Sequence, residues 1–139
     1  MLITITNGIL TLTVDTHGAQ MMHLKHHGTE YLWQGDSKYW ADRAPILFPF
    51  IARLTNDSYT FHGKTYPMTI HGFANAFEFN VAEQREDHLV LELRSSEKTM
   101  AHYPFDFVFR VIFHLEGDSL HTTYHVENKS DVTMPFGIG

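Results

Sequence analysis

Pairs of short alternating segments joined by tight turns constrain the fold of this chain more than any other feature. Residues 2–6 and 9–14 alternate apolar residues with threonine around Asn7-Gly8, the strongest short-range signal of a β-hairpin. Because such pairs recur and only residues 96–103 favour a helix, the sequence predicts an all-β protein, an antiparallel β-sandwich. Further strands are predicted at residues 18–26, 31–33, 59–61, 64–66, 77–82, 88–94, 107–113 and 120–126.

Residues 44–54, here called the bend segment, interrupt the strand pattern. Pro45 and Pro49 fall within an apolar run, and each removes a backbone donor, so we expect the backbone to bend there instead of forming a central strand. Arg53 follows the bend, and His71 follows the next predicted hairpin. An arginine and a histidine on irregular backbone between sheets are suited to binding a polar small molecule.

Length, charge and cysteine content restrict the number of domains, the partners and the location of the protein. The 139 residues are enough for a single domain, 1–139, with its own core and too few to argue for two. A net charge of −6 without a basic stripe argues against nucleic acid as a partner. With no cysteine, no signal peptide pattern and no apolar stretch of membrane-spanning length, we expect a cytoplasmic protein with no membrane partner.

The final residues, 132–139, are predicted to open a new strand in which the sequence stops. Domains usually end in a loop or a completed element, so we expect the chain to be part of a longer protein. A short edge strand that happens to be last is the alternative. Uncovered sheet edges would favour a homodimer or poor solubility when the chain is alone.

Four motifs follow one another in a specific order along the chain. They are Ala44-Pro45-Ile46-Leu47-Phe48-Pro49, then Arg53, then Ile70-His71-Gly72-Phe73-Ala74, and finally Met134-Pro135-Phe136-Gly137-Ile138-Gly139. In this order they resemble the galactose mutarotase (aldose 1-epimerase) family, and most closely its LacX-like bacterial branch. The resemblance spans essentially the whole chain, but only the N-terminal half of a family member.

The resemblance implies an enzyme that binds an aldohexose such as galactose or glucose in an open cleft. It would interconvert the α and β anomers through the open-chain aldehyde, without a cofactor. A base takes the proton of the C1 hydroxyl, and an acid protonates the ring oxygen. Arg53 matches the family's sugar-binding arginine, and His71 matches the first of two family histidines, which binds near the ring oxygen and assists the acid.

The same resemblance implies that two further catalytic residues lie beyond this chain. The second histidine, the general acid, would follow Gly139, and the glutamate base would lie further downstream. The chain alone is therefore expected to be inactive. Asn75 stands where related branches usually have a basic residue, which weakens the case for a phosphorylated sugar.

Each candidate residue also has a purely structural interpretation. Arg53 would then be a surface residue paired with Asp57, and His71 a hydrogen-bonded histidine at a strand end. Trp33 and Trp40 could stack on a sugar, but tryptophan in a sandwich is more often core, and we expect this for Trp33.

Two other groups of side chains favour structural roles. The histidines near the N-terminus lack zinc-ligand spacing, and the strand pleat would place the side chains of His26 and His27 on opposite faces, so no metal site is predicted. These histidines are His17, His23, His26 and His27. A core strand face is predicted from Phe105, Phe107, Phe109, Val111 and Phe113.

A non-catalytic carbohydrate-binding domain, or an interaction domain that pairs through its last strand, remains the alternative to an enzyme.

Overall fold

A computed structural model describes residues Met1–Gly139, and nearly all of its regular structure is β. One short α-helix, α1 (Glu97–Met100), and two 3-10 turns, Thr55–Asp57 and Ala74–Ala76, complete it. The strands are β1 (Leu2–Thr6), β2 (Leu10–Asp15), β3 (Gln20–His26), β4 (Thr29–Glu30), β5 (Ser58–Phe61), β6 (Lys64–Pro67), β7 (Asn80–Gln84), β8 (His88–Arg94), β9 (Phe107–Glu116) and β10 (Ser119–Asn128).

The strands form two four-stranded sheets and a separate hairpin. The first sheet has the order β1-β2-β3-β4, the second has the order β10-β9-β8-β7, and β5 pairs only with β6. Every pairing between these strands is antiparallel. The predicted all-β antiparallel sandwich is therefore confirmed. No helix in the chain has the length and apolar character that crossing a bilayer requires.

Turns of the two sheets are tied together at one end of the molecule. In the β1–β2 turn, the Asn7 side-chain oxygen accepts hydrogen bonds from the amides of Ile9 (3.1 Å) and Leu10 (2.8 Å). Its side-chain nitrogen donates to the carbonyl of Gly117, in the β9–β10 turn, at 2.8 Å. Asn7 therefore does more than the hairpin signal implied, because it also links a turn of the first sheet to a turn of the second.

A single hydrophobic cluster draws side chains from both sheets. Alternate residues of β1 and β2 contribute to it from the first sheet, and alternate residues of β8 and β9 from the second. The predicted face of Phe105, Phe107, Phe109, Val111 and Phe113 is confirmed, since each is at most 1% exposed. Trp33, which we expected in the core, is instead 42% exposed, and its indole N–H donates to the Trp40 carbonyl at 2.9 Å.

Strands β9 and β10 extend beyond the predicted 107–113 and 120–126. Two other strands begin at different residues, because a side chain or the turn after β2 takes their hydrogen bonds. The return strand is Thr29–Glu30 rather than residues 31–33, because the Glu30 carboxylate accepts from the amides of Leu24 (2.9 Å) and Leu32 (3.0 Å). Strand β7 begins at Asn80 rather than at 77. Upstream of it, Phe77 accepts a backbone hydrogen bond from Gly18, and Phe79 donates one to Thr16, both in the turn after β2.

The two remaining differences involve proline. The predicted helix over 96–103 is reduced to α1, a single turn capped by the Ser96 side chain and followed closely by Pro104. The predicted strand over 132–139 is wrong as a regular strand. Leu47 and Gly139 exchange both backbone hydrogen bonds (2.8 and 3.1 Å), but at the next pair Pro49 can only accept, from Gly137 at 2.8 Å.

Candidate functional site

The bend segment is anchored by one fully buried side chain. Phe48 is 0% exposed, and its ring stacks on Phe109 with the centroids 4.5 Å apart. Phe73 and Phe107 pack edge to face against it at 6.2 and 5.4 Å. The segment forms no regular strand, as the prolines predicted, and the Phe48–Pro49 peptide bond is cis. Aromatic packing therefore fixes where the bend lies in the molecule.

The loop that carries His71 is fastened to the same point. The Phe48 carbonyl accepts hydrogen bonds from the amides of Phe73 (2.9 Å) and Ala74 (3.1 Å). Gly72 has a φ of +79°, and a Cβ placed on it would lie 2.2 Å from the Phe48 carbonyl oxygen. Only glycine allows the two backbones to approach this closely, so the sequence His71-Gly72-Phe73 reflects a steric requirement.

His71 is oriented by the backbone immediately before Arg53. Its amide donates to the Ala52 carbonyl at 3.4 Å, and its ring Nδ1 donates to the Ile51 carbonyl. Because a carbonyl oxygen can only accept, Nδ1 carries a proton and Nε2 is left for another partner. The structural interpretation of His71 as a hydrogen-bonded residue is thus correct, and it leaves the second ring nitrogen available.

Arg53 lies on the exposed rim, directly after the two backbone carbonyls that His71 contacts. Its Nη1 donates to Asp57 Oδ1 at 2.7 Å, and the two side chains are 60% and 57% exposed. The predicted alternative, a surface ion pair with Asp57, is therefore present. The ion pair uses one edge of the Arg53 guanidinium. The guanidinium makes no other hydrogen bond to a side chain or carbonyl. The structure thus brings Arg53 and His71 onto adjacent backbone, as their order in the sequence suggested.

Two open cavities adjoin this rim and share part of their lining. The smaller, about 320 Å³, is lined by Arg53, and the larger, about 690 Å³, is lined by Gly72, Asn75 and Lys98. The shared lining residues are Met68, Thr69, Ile70 and His102. We refer to the two cavities together as the cleft. His71 itself does not line either cavity.

Lys98 and His102 are polar cleft residues that sequence reasoning missed. His102 resembles His71 in its setting, because its Nδ1 lies 3.1 Å from the Pro67 carbonyl and its Nε2 has no hydrogen bond. Both residues come from α1 and the turn after it, far from the motifs in the sequence. No local pattern indicated that this turn would border the cleft, so only the tertiary structure reveals them.

A loop beside the bend segment exposes several aromatic rings. Trp33 and Tyr39 lie edge to face with centroids 6.4 Å apart, and Trp40 is 48% exposed. Arg43 holds the loop against β3, since its Nη1 donates to the Met22 carbonyl at 2.9 Å and to Gln34 Oε1 at 2.7 Å. The aromatic surface is thus displayed on an ordered loop.

The histidines weighed as a metal cluster do not form one. His26 and His27, expected on opposite sides, have ring centroids 4.3 Å apart, because His27 adopts a positive φ of 47° in the turn after β3. His23 instead lies 2.9 Å from Glu30 Oε2. No three histidine or carboxylate side chains of the chain converge as metal ligands.

Comparisons with known proteins agree with this fold and with the motif order. The family model described as aldose 1-epimerase matches residues 1–139. Protein LacX of Lactococcus lactis subsp. lactis, in its plasmid and chromosomal forms, is 34% identical over 146 residues, which cover 100% of this chain and 49% of the relative. The chain thus spans about half the length of these relatives.

Solved structures give the same result. A galactose mutarotase related enzyme from Lactobacillus acidophilus is 38% identical, with a TM-score of 0.96 over 99% of this chain and 47% of that chain. A galactose mutarotase-like protein from Lactobacillus casei is 32% identical, with a TM-score of 0.95 over 99% of this chain and 48% of that one. The resemblance predicted from the motifs is confirmed, and the chain belongs to the aldose 1-epimerase family.

Proposed function

We propose that this chain supplies the substrate-holding part of an aldose 1-epimerase that interconverts the α and β anomers of an aldohexose such as galactose or glucose. One observation carries the proposal: Arg53 lines an open cleft, and His71 is hydrogen-bonded to the backbone that immediately precedes Arg53. A cationic fork beside an oriented imidazole suits the hydroxyl and ring oxygens of a sugar.

The reaction requires two coupled proton transfers. A base removes the proton from the C1 hydroxyl, the bond between C1 and the ring oxygen breaks, and the ring oxygen gains a proton. Rotation about the C1–C2 bond followed by the reverse steps gives the other anomer. No oxidant, reductant or cofactor enters this balance.

In this proposal Arg53 and His71 bind and polarise the substrate. Arg53 donates hydrogen bonds to sugar oxygens and stabilises negative charge on the ring oxygen as the ring opens. His71, with Nδ1 committed to the Ile51 carbonyl, directs Nε2 toward the ring oxygen and assists the acid. The acid histidine and the base glutamate are expected in the part of the protein that follows Gly139.

Polarimetry tests the proposal. Freshly dissolved α-glucose or α-galactose is mixed with the protein extended through its natural reading frame beyond Gly139, and the rate is compared with buffer alone. We expect acceleration by the unmodified protein, and its loss in Arg53→Ala and His71→Asn. His62→Asn, in the exposed turn of the β5–β6 hairpin, is the matched control. A rate equal to that of buffer would reject the enzymatic proposal.

A non-catalytic carbohydrate-binding domain is the second candidate, and the exposed aromatic loop favours it. Trp33, Tyr39 and Trp40 are exposed to solvent, and exposed aromatic rings can pack against a pyranose ring. Titration of the isolated chain with galactose, followed by tryptophan fluorescence, distinguishes the candidates. Saturable binding that is lost in Trp40→Ala, together with no epimerase rate in the extended protein, would favour binding alone.

Self-association of the isolated chain is a separate expectation, made from its open edges. Tyr124 lies on the core side of the edge strand β10 and is still 41% exposed, so this side of the sheet is incompletely covered. We expect a homodimer, or poor solubility, when the chain is produced alone. Light scattering coupled to size-exclusion chromatography would contradict this expectation if it showed a stable monomer.

A cytoplasmic location of the protein likewise stays a prediction.

A further inference from the structure

Three histidines form a row across the second sheet, on the face turned away from the core. His88 on β8 is the register partner of His114 on β9, and His114 is also the register partner of His121 on β10. Neighbouring residues of β9, Phe113 and Leu115, point into the core, so the three imidazoles share the outer face. His88 and His114 are half-buried, and His121 is exposed.

The register places His88 and His114 at the closest side-chain spacing that a sheet offers. The Leu115 amide donates to the Asp87 carbonyl at 2.9 Å, which makes Asp87 and Leu115 a hydrogen-bonded pair. The next pair along the strands, His88 and His114, is therefore of the non-hydrogen-bonded type, in which the Cα atoms lie about 4.5 Å apart. Their ring centroids are 5.7 Å apart.

His121 continues the row on the other side of His114. The centroids of these two rings are 6.2 Å apart, and His121 Nε2 lies 3.5 Å from Glu116 Oε2. The row thus has three imidazoles, each near the next, and one carboxylate beside His121. Zn²⁺ and Ni²⁺ prefer imidazole and carboxylate ligands of this kind.

We propose that this histidine row binds a divalent transition-metal ion such as Zn²⁺ or Ni²⁺, with His114 as the central ligand. The rings now pack against one another without converging, so binding requires side-chain rotation. The row lies on the face turned away from the core, and backbone register already supplies the spacing. The bound ion would cross-link β8, β9 and β10.

Calorimetric titration of the purified chain with Zn²⁺ tests the proposal, with Ca²⁺ as the negative control ion. We expect saturable binding of one Zn²⁺ and none of Ca²⁺, which prefers oxygen ligands. His114→Asn should weaken Zn²⁺ binding by at least about tenfold, the loss that follows even from removing an outer-shell partner of a metal. His88→Asn and His121→Asn should have smaller effects, because each leaves one histidine pair intact.

A second histidine pair provides the matched control. His26 and His27 also lie in contact, at the end of β3, so His26→Asn should leave Zn²⁺ binding unchanged. Circular dichroism of each variant establishes that the sheet is intact. The proposal is overturned if the chain shows no saturable Zn²⁺ binding, if His114→Asn binds Zn²⁺ as tightly as the unmodified chain, or if His26→Asn weakens binding as much as His114→Asn does.

Discussion

Phe48 and Arg53 belong to the same bend segment, yet their surroundings differ completely. Phe48 is fully buried among aromatic rings, and its carbonyl accepts two backbone hydrogen bonds from the loop that follows His71. Arg53 is 60% exposed at its side chain and has one ion pair with an equally exposed partner. The contact of Phe48 with residues 72–74, here called the buried junction, therefore fixes where this part of the chain lies, whereas the exposed rim carries the groups that we propose bind a sugar.

Gly72→Ala should disturb the buried junction most. The added methyl would lie 2.2 Å from the Phe48 carbonyl oxygen, at a φ that alanine disfavours. We expect the free energy of unfolding to fall by about 3 kcal/mol or more, because backbone strain and a clash act together. Denaturation in urea measures the loss.

Gly63→Ala separates the clash from the cost of backbone conformation. Gly63 has a nearly identical φ of +76°, but a Cβ at this position meets nothing within 4 Å. We expect a loss of only about 1–2 kcal/mol, the cost of a left-handed conformation. Equal losses for the two variants would show that the junction with Phe48 is not a tight contact.

Tyr103→Phe tests a hydrogen bond inside the same junction. Tyr103 is 0% exposed, and its hydroxyl donates to the Pro135 carbonyl at 2.8 Å. Burial, with a smaller contribution from Tyr59, raises the pKa of Tyr103, so the phenol stays neutral and able to donate. We expect a loss of about 1–1.5 kcal/mol in the free energy of unfolding. Tyr39→Phe, on the exposed loop, should cost almost nothing.

Glu30→Gln probes a half-buried carboxylate, which is more exposed than Phe48 and less exposed than Arg53. Burial acts to raise the pKa of Glu30, but hydrogen bonds from Leu24, His23 and Leu32 outweigh it and lower the pKa. A lowered folded-state pKa stabilises the protein above the unfolded-state value and loses this effect as pH falls through the folded-state value.

The variant should therefore differ from the unmodified protein mainly at neutral pH. We expect Glu30→Gln to lose about 1 kcal/mol there, since glutamine keeps an acceptor but not the charge. Urea denaturation at a series of pH values should show the two proteins converging in acid, below about pH 4.3, the ordinary pKa of glutamate. A constant difference across this range would exclude the charge as the cause.

Local patterns predicted most of the strands, but not the contacts that make the site. Asn7-Gly8 and the alternation of β9 depend on neighbours in the sequence, so both were predictable. The exposure of Trp33 depends on a loop that Arg43 holds to β3. The general preference of tryptophan for sandwich cores therefore predicted wrongly that Trp33 is buried.

The candidate site was only partly predictable. Arg53 and His71 were singled out from their place on irregular backbone, the family resemblance suggested their roles, and hydrogen bonds from His71 to Ile51 and Ala52 bring them together. His102 could not be predicted, because its place in the cleft depends on α1 packing beside Pro67. Such long-range packing leaves no pattern in a single sequence.

Arg53→Ala should have the smallest effect on stability. It therefore tests most clearly whether the exposed rim serves sugar binding and not folding. An exposed ion pair such as that with Asp57 contributes little, so we expect the free energy of unfolding to change by no more than about 0.5 kcal/mol. Affinity for galactose should fall about 10- to 100-fold, since a charge-assisted hydrogen bond is worth about 1.5–3 kcal/mol. Urea denaturation and calorimetric titration on the extended protein measure the two quantities. A large loss of stability with unchanged affinity would reverse the assignment, making Arg53 part of the scaffold and leaving sugar binding to other residues of the cleft.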